Sequence, residues 1–282
     1  MYKVIFMEIL KIKILNEITI NEYLNNLGLG KSKINSLIDG KKIKCGKTIV
    51  KQNMLLKKDD VLFIDIEDYE KIDYNPIENE LDVLYEDDYL LVINKPKGVI
   101  IYDLDQKEET LANYLRYYYQ MNNINRTIRH VHRLDKDTDG CILYAKDFIT
   151  HAALSKMLEN DEIKRVYHAE VEGRVNKKGI IRKNIGKDRH NNNKMVISEK
   201  AATAVTHYKL LEYNKEKNTS KIEVVLETGR THQIRVHFMS ENHPLLGDKI
   251  YNPKNIEKEL HLQSFSIHFI HPITKQKIDV NV

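Results

Sequence analysis

The sequence is organised around one stretch in the middle of the chain, which reads His130-Val131-His132-Arg133-Leu134-Asp135-Lys136-Asp137-Thr138-Asp139-Gly140. Residues 127–132 mix β-branched and polar side chains, as extended segments do, and the apolar run 141–145 is typical of a buried strand. The turn formers between them predict a tight turn in which Gly140 takes a positive φ. Backbone on both sides would therefore hold Asp135 rigidly, as a reacting group requires.

This acidic loop has two other interpretations from its residues alone. Its composition is also that of a solvated turn without a chemical role. The alternation of Asp135, Asp137 and Asp139 also looks like the start of a calcium-binding EF-hand loop. Such a loop needs a bidentate glutamate at its twelfth position, where this chain has Lys146. Calcium is therefore excluded, whereas the solvated turn stays open.

The same stretch resembles the signature of the RluA-type pseudouridine synthases, which isomerise uridine in ribosomal or transfer RNA. The resemblance rests on His132-Arg133-Leu134-Asp135 followed by Thr138 and Gly140, and Asp139 stands where the family more often has Ser or Thr. Other matches occur in the family's order: Asn-Lys-Pro-Lys-Gly at 94–98, Tyr167 two residues after Arg165, Gly-Arg-Thr-His-Gln-Ile-Arg-Val-His at 229–237, His243-Pro244 with Gly247-Asp248, and the closing strands within 260–272.

The family resemblance implies an α+β catalytic domain over residues 81–282, built on a mixed, largely antiparallel sheet with a central catalytic cleft. It also implies roles for individual residues. Asp135 is the catalytic carboxylate, Arg235 is the cation beside it, and Tyr167 stacks on the uracil and takes part in the final proton transfer. Arg133 occupies the space that the flipped nucleotide leaves, and Arg230 contacts RNA. No metal or other cofactor is implied.

The chemistry explains why a cation is needed next to Asp135. The reaction detaches uracil from ribose, rotates it and rejoins it through C5 in a site that excludes water. Removal from water favours the protonated form of a carboxylate, and a guanidinium that donates two hydrogen bonds offsets that effect. Asp135 either attacks the anomeric carbon or abstracts a sugar proton to give a glycal, and the sequence does not choose between them.

Residues 1–66 predict a second, small domain. Residues 20–27 have helical spacing, Ser32 is placed to cap a second helix that ends near Gly40, and strand-like runs follow at 42–45, 48–50 and 61–64. This order resembles the α/β S4 RNA-binding domain. Between Lys31 and Lys58 there are nine lysines and one acid. The resemblance implies that RNA is contacted by Lys31, Lys33, Lys41 and Lys42.

Two segments connect or decorate these domains. Residues 67–80 are acidic, contain Pro76 and have little periodicity, which predicts a linker. Residues 174–200 are basic and rich in asparagine, with a turn at Asn191-Asn192-Asn193, and they predict a hairpin. That hairpin either closes over RNA or is a variable surface loop.

Composition limits the class of protein. With 282 residues and 41% hydrophobic residues the chain can bury a core, and its net charge is +4. The two cysteines, Cys45 and Cys141, have no disulfide or zinc spacing. Residues 1–15 are interrupted by charges and no run is long enough to span a bilayer. We expect a cytoplasmic monomer that binds RNA and no membrane.

Two rival functions remain to be weighed against pseudouridine synthesis. A metal-dependent hydrolase would use His130 and His132 on one face of a strand, but no His-Glu-X-X-His or Cys-X-X-Cys motif occurs. A catalytically silent RNA-binding protein would explain the basic N-terminal region but not the presence of Asp135, Tyr167 and Arg235 together. We therefore predict an RNA pseudouridine synthase that acts on large-subunit (23S) ribosomal RNA, with transfer RNA as the alternative substrate.

Overall fold

The computed structural model describes residues 8–103, 105, 107–191 and 194–282. The first seven residues of the predicted N-terminal domain lie outside the described residues. Two of the three asparagines predicted to form a turn, Asn192 and Asn193, lie outside them as well.

The N-terminal region folds into two short helices surrounded by short strands. Its elements are β1 (Ile9–Lys13), β2 (Ile18–Thr19), α1 (Ile20–Asn26), α2 (Lys31–Asp39), β3 (Ile43–Cys45), β4 (Thr48–Ile49), β5 (Leu55–Leu56) and β6 (Val61–Asp65). The strands form a four-stranded sheet in the order β1-β6-β3-β4 and a separate β2-β5 pair. The predicted cap was wrong: α2 begins at Lys31 after the N-cap residue Gly30, so Ser32 lies inside the helix.

The remainder is built on one large sheet with three helices, which confirms the predicted α+β class. Its strands are β7 (Val83–Glu86), β8 (Leu90–Lys95), β9 (Arg129–His130), β10 (Asp139–Ala145), β11 (Lys164–Glu172), β12 (Lys178–Arg182), β15 (Val205–Asn214), β16 (Thr219–Leu226), β17 (Leu262–Ile270) and β18 (Lys277–Asn281). The hairpin β13 (Ile185–Lys187) and β14 (Met195–Ile197) is separate. The helices are α3 (Leu111–Met121), α4 (Phe148–Glu159) and α5 (Gln233–Ser240).

The order of the large sheet is β12-β15-β16-β11-β17-β10-β8-β7, with β18 beside β17 and β9 beside β10. Every pairing in it is antiparallel except that of β10 with β17, which is parallel and extends over two residue pairs. This short parallel contact is a seam between two antiparallel halves. The predicted acidic loop, residues 133–138, ends where the seam begins.

The seam requires glycine at position 140. Gly140 has a φ of +106°, and a Cβ there would lie 2.2 Å from the carbonyl oxygen of Ser264 on the neighbouring strand. The predicted positive φ is thus confirmed, and the close approach of two backbones adds a second reason for the glycine. Beyond it β10 is buried on both faces, with Cys141 and Leu143 in one core and Ile142 and Tyr144 in another.

The N-terminal region and the large sheet share a core through α4. Ile149 and Ala153 of α4, together with Ile273, are buried among the apolar side chains of the N-terminal helices and strands. Gly28, at a φ of +81°, lies so close to α4 that a Cβ there would be 2.7 Å from the carbonyl oxygen of Ala152. The opposite face of α4 carries His151 and Ser155, which line a cavity of about 1020 Å³.

The acidic segment 67–80 is held against the sheet by its charges. A 3₁₀ turn, Glu67–Tyr69, begins it. Glu70 pairs with Arg129 at 2.7 Å, and Asp73 pairs with Arg116 at 2.9 Å. Composition predicted a linker, and the segment connects the two regions as a strap whose carboxylates are partly buried. Of the helices that the structure describes, none is long and apolar enough to cross a membrane.

Candidate active site

The loop that carries Asp135 is fixed by hydrogen bonds from both of its flanks. The amide of Thr138 donates to the carbonyl of Asp135 (3.1 Å), and the amide of Gly98 donates to the carbonyl of Lys136 (2.9 Å). Asp139, at the start of β10, accepts from Gln263 Nε2 at 2.8 Å. The carboxylate of Asp135 is therefore presented from a short loop whose ends cannot move independently of the sheet.

Lys95 holds the loop that carries Asp135 through a hydrogen bond, a role that sequence analysis missed. Its side chain is fully buried, and Nζ donates to the carbonyls of Pro96 (2.8 Å), Val99 (2.8 Å) and Lys136 (3.0 Å). Burial lowers the pKa of Lys95 to about 8, although nearby aspartates oppose the effect. The signal was present in the motif at 94–98, but a lysine in a turn reads as a surface residue until its carbonyl partners are known.

Asp135 lies at one end of a chain of three charges. Arg235 Nη1 donates to Asp135 Oδ2 at 3.0 Å, while its Nε and Nη2 donate to the two oxygens of Asp248, each at 2.8 Å. Asp248 also accepts from the amides of Ile250 and Tyr251, each at 3.0 Å. One guanidinium thus holds a fully buried carboxylate with two hydrogen bonds and the more exposed Asp135 with one.

This network fixes the charge state of its two buried members. Burial lowers the pKa of Arg235, but its hydrogen bonds and charge interactions with Asp248 and Asp135 outweigh burial and hold the pKa above the ordinary value. Burial raises the pKa of Asp248, and the contact with Arg235 outweighs it and leaves the pKa below the ordinary value. Asp135 therefore faces a permanent cation. The sequence motif contained Asp248 but gave no indication of its role.

His232 and Tyr251 complete the surroundings of Asp135. His232 is the N-cap residue of α5 and has a left-handed backbone at φ 55°. Its Nε2 lies 3.8 Å from Asp135 Oδ2, and its Nδ1 shares a hydrogen bond of 2.9 Å with the Tyr251 hydroxyl. Burial lowers the pKa of His232, so the imidazole is neutral near pH 7 and leaves Arg235 as the cation next to Asp135.

Tyr167 faces the same cavity from β11 and is almost fully buried. Burial raises the pKa of its phenol, so the hydroxyl is protonated at neutral pH. Two residues earlier on the same face of the strand lies Arg165, which also lines the cavity. The structure thus brings the three predicted catalytic residues, Asp135, Tyr167 and Arg235, around one space.

That space is a cleft of about 1020 Å³ at the seam of the sheet. Arg133 is exposed at its edge, with Nη1 3.5 Å from the hydroxyl of Tyr102. The ring of Tyr102 stacks on that of His130 with centroids 4.8 Å apart. Arg230 is exposed on the opposite loop and donates through Nε to the carbonyl of Thr203 at 3.2 Å. The cleft is large enough for a nucleotide.

The lysines predicted to contact RNA fall into two groups. Lys31 and Lys41 are exposed, and within the described residues neither makes an ion pair. Lys42, in contrast, pairs with Asp65 at 2.8 Å and with Asp68 at 2.7 Å, so two carboxylates already neutralise it. Lys33 lies over the Tyr69 ring at 4.2 Å from its centroid. RNA contact by Lys31, Lys33 and Lys41 stays a prediction, whereas Lys42 would have to give up both ion pairs.

The two histidines of the rival metal hypothesis serve other purposes. His132 is buried and its Nε2 accepts the amide of Leu143 at 3.3 Å, while His130 stacks on Tyr102. Burial lowers the pKa of His130 to about 4 and that of His132 to about 3. Across the described residues, no group of three or more His, Cys, Asp or Glu side chains is arranged to hold a metal ion.

Comparison with known proteins shows which family this sequence matches. The family described as RNA pseudouridylate synthase matches residues 89–240. The uncharacterised RNA pseudouridine synthase YhcT of Bacillus subtilis is 41% identical over 256 residues, which cover 89% of this chain and 84% of the relative. The ribosomal large subunit pseudouridine synthase D of Vibrio cholerae is 32% identical over 86% of this chain and 79% of its own.

A solved structure is similar in fold. The human RNA pseudouridylate synthase domain containing 1 superposes with a TM-score of 0.61 at 24% identity, and the match covers 74% of this chain and 86% of the human one. Because identity is low, this similarity concerns the fold alone. It agrees with the mixed, largely antiparallel architecture described above.

Proposed function

The chain belongs to the RNA pseudouridylate synthase family, and on that premise we propose that it isomerises a uridine of large-subunit (23S) ribosomal RNA with Asp135 as the catalytic carboxylate. One observation carries the assignment of Asp135. Of the two carboxylates that Arg235 holds, that of Asp135 lines the cleft, and Arg235 donates to it at 3.0 Å. The attraction between this carboxylate and the guanidinium beside it becomes stronger when a substrate displaces water.

The proposed reaction uses the groups around this carboxylate. The bond from ribose C1′ to uracil N1 breaks, the base turns, C1′ bonds to C5, the C5 proton leaves and N1 gains a proton, so substrate and product are isomers. Asp135 begins it either as a nucleophile at C1′ or as a base on the ribose. No step consumes a second reactant, so the arrangement has to position groups and exclude water.

Tyr167 and Arg133 have separate roles in the proposal. The phenol of Tyr167 packs against the uracil and takes part in the final proton transfer from C5. Because burial keeps its hydroxyl protonated, the phenol can accept that proton only as it donates its own. Arg133 is exposed at the edge and fills the space from which the uridine is extruded. Extrusion costs roughly a few kcal/mol, so a side chain that replaces the missing base lowers that cost. Arg230 contacts the RNA from the opposite loop.

The N-terminal region is proposed to be an S4-like RNA-binding domain over residues 1–66, joined by residues 67–80 to a catalytic domain over 81–282. The order of two helices before short strands supports it, as do the exposed Lys31 and Lys41. Relatives named for the ribosomal large subunit favour that RNA as the substrate, with transfer RNA as the alternative. We propose that the protein acts as a monomer in the cytoplasm.

The test is to map pseudouridine in ribosomal and transfer RNA from cells with and without the gene, by carbodiimide modification and primer extension. We expect one signal in large-subunit RNA to disappear and to return with the wild-type gene. The variant Asp135→Asn should not restore it. The matched control is Asp137→Asn, which removes an exposed carboxylate from the same loop and should restore the signal.

Each other outcome has a definite meaning. A lost signal in transfer RNA would replace the proposed substrate. Restoration by Asp135→Asn would rule out Asp135 as the catalytic carboxylate. No lost signal in either RNA pool would argue for RNA binding without catalysis.

A further inference from the structure

Arg165 is a buried cation without a partner. Its side chain is 7% exposed, and its Nε is buried with no hydrogen-bond partner. Within the described residues no carboxylate forms an ion pair with its guanidinium, although Glu159 and Asp161 line the same cleft. Its charge acts on His132 and Tyr167, and both of these side chains are uncharged at neutral pH.

This arrangement differs from that of other buried arginines in the chain. Arg235 is held by two carboxylates, and Arg116 is held by Asp73 and by the carbonyl of Arg126. A buried guanidinium without an anion is costly, because its solvation by water is lost and nothing replaces it. A cation kept in this state inside a cleft is typical of a site that is completed by a negatively charged ligand.

The head of Arg165 lies at the rim of the cleft and not at its floor. A Cβ placed on Gly229 would be 3.1 Å from Arg165 Nη1, so the guanidinium packs directly against that residue. Gly229 and its neighbours Arg230 and Thr231 are exposed. The glycine lets the backbone of this loop approach the guanidinium without pushing it away. Arg165 therefore extends from the buried strand β11 to the inner side of an exposed loop at the edge of the cleft.

We propose that Arg165 binds a phosphodiester oxygen next to the extruded uridine, an inference that rests on the proposed function. When a nucleotide turns into the cleft, its base goes towards Asp135 and Tyr167, while its phosphates stay at the rim with the rest of the chain. A guanidinium at the rim meets the phosphate, and its fork of donors suits two phosphate oxygens. The contact would add to the affinity for the RNA chain beside the cleft without touching the reacting atoms.

The direct test is a double-mutant cycle in which one change is made in the protein and the other in the RNA. The probe is a short synthetic oligoribonucleotide that contains the uridine found by the mapping experiment, with and without an uncharged methylphosphonate at the 5′ or the 3′ phosphate of that uridine. Binding is measured in the Asp135→Asn background, so that no turnover occurs. We expect Arg165→Met to weaken binding of the normal RNA roughly ten- to a hundredfold, the usual range for a lost charged hydrogen bond.

The signature of a direct contact is loss of additivity. One methylphosphonate should weaken binding to the protein with Arg165 but change little in the Arg165→Met protein. The slope of log Kd against log salt should also fall by about 0.7–0.9, which corresponds to one phosphate. If both methylphosphonates weaken binding equally in the two proteins, Arg165 contacts no flanking phosphate and the inference is overturned.

Turnover separates this role from one in the chemical step. With Asp135 intact, Arg165→Met should raise KM and leave kcat at saturating RNA within a few-fold of the wild-type value. A large fall in kcat with unchanged Kd would mean that Arg165 stabilises the detached uracil instead, and would overturn the phosphate assignment. Failure of the proposed function itself would show separately in the mapping experiment, as the absence of any pseudouridine signal that depends on the gene.

The thermal stability of the free protein distinguishes an arginine that binds RNA from one that is needed for folding. Because Arg165 has no partner to lose, Arg165→Met should leave the Tm equal to or above that of the wild type. The matched control is Arg116→Met, which breaks a buried ion pair and should lower the Tm. A comparable loss of Tm in both variants would show that Arg165 is needed for folding and would contradict the proposal.

Discussion

The cleft and the basic N-terminal helix are both assigned to RNA, but they hold their charges in opposite ways. Around Asp135 the charges are buried, and each is fixed by hydrogen bonds of 2.8–3.0 Å. On and after α2 the lysines that remain for RNA, Lys31 and Lys41, are exposed on flexible stems. Fixed charges in a site of low dielectric act strongly on a reacting group, whereas exposed charges are screened by salt. The fixed charges around Asp135 should therefore control rate, whereas the helix, like the proposed phosphate contact of Arg165, should control affinity.

The strongest test of this difference is Arg235→Met. Loss of the guanidinium leaves Asp248 buried without its cation and lets Asp135 be protonated more easily. We expect kcat to fall by about a hundredfold or more, the scale seen when a preorganised charge is removed from an active site. As the pH is lowered, the residual activity should be lost at a higher pH than wild-type activity is, because the reaction needs the ionised carboxylate.

The measurement is a pH–rate profile of pseudouridine formation, with RNA affinity measured alongside. Retained RNA binding would show that the variant is folded. An activity loss with an unchanged pH profile would contradict the assigned role of Arg235. Arg235→Lys is the matched control: it keeps the charge but not the three-way hydrogen bonding, and it should recover the pH profile better than it recovers the rate.

The sequence could predict local elements and family motifs, but not the charge pairs that form between distant parts of the chain. The apolar run after Gly140 predicted a buried strand, and motif order predicted that Asp135, Tyr167 and Arg235 would meet, although they are far apart in the chain. The unpaired state of Arg165 could not be predicted, because it depends on whether other helices and strands place a carboxylate next to it. For the same reason Lys42 was assigned to RNA from its position in a basic run, and only the fold shows that Asp65 and Asp68 pair with it.

Segment 67–80 illustrates the limit of composition. Acidic residues without periodicity predict a solvated linker, yet Glu70 and Asp73 pair with arginines of the catalytic region. Helix α5 was overlooked for a different reason. Its sequence contains a family motif, and its residues are buried on nearly every side, so it lacks the apolar stripe by which helices are recognised.

The two regions are joined at α4, and Gly28→Ala should weaken that joint. A Cβ at this position would lie 2.7 Å from the carbonyl of Ala152, so the N-terminal domain would have to shift away from α4. We expect a loss of about 1–3 kcal/mol in the free energy of unfolding, measured by denaturant titration. The control is Gly46→Ala, which has a similarly positive φ but open space around it, and it should cost only the backbone strain, about 1 kcal/mol. Equal losses in both variants would show that the contact with α4 contributes nothing.

The smallest effect is expected from the exposed lysines. The pair Lys31→Gln and Lys41→Asn removes two charges, and asparagine suits position 41 because the backbone there is left-handed, at φ 56°. If each lysine contacts one phosphate, the slope of log Kd against log salt should fall by about 1.4–1.8. Raising salt from about 50 to 200 mM should then weaken binding by the variant roughly tenfold less than it weakens binding by the wild type. The value of kcat at saturating RNA should not change.

Lys42→Gln is the control for these lysines, because it removes a lysine of the same domain that is already paired with two carboxylates. It should lower stability slightly and leave the salt slope unchanged. A salt slope that responds to Lys42→Gln but not to the variants of Lys31 and Lys41 would mean that the RNA approaches a different face of the domain and breaks the ion pairs of Lys42. The division between fixed and exposed charges would then not hold in the N-terminal domain, although it would be unaffected in the cleft.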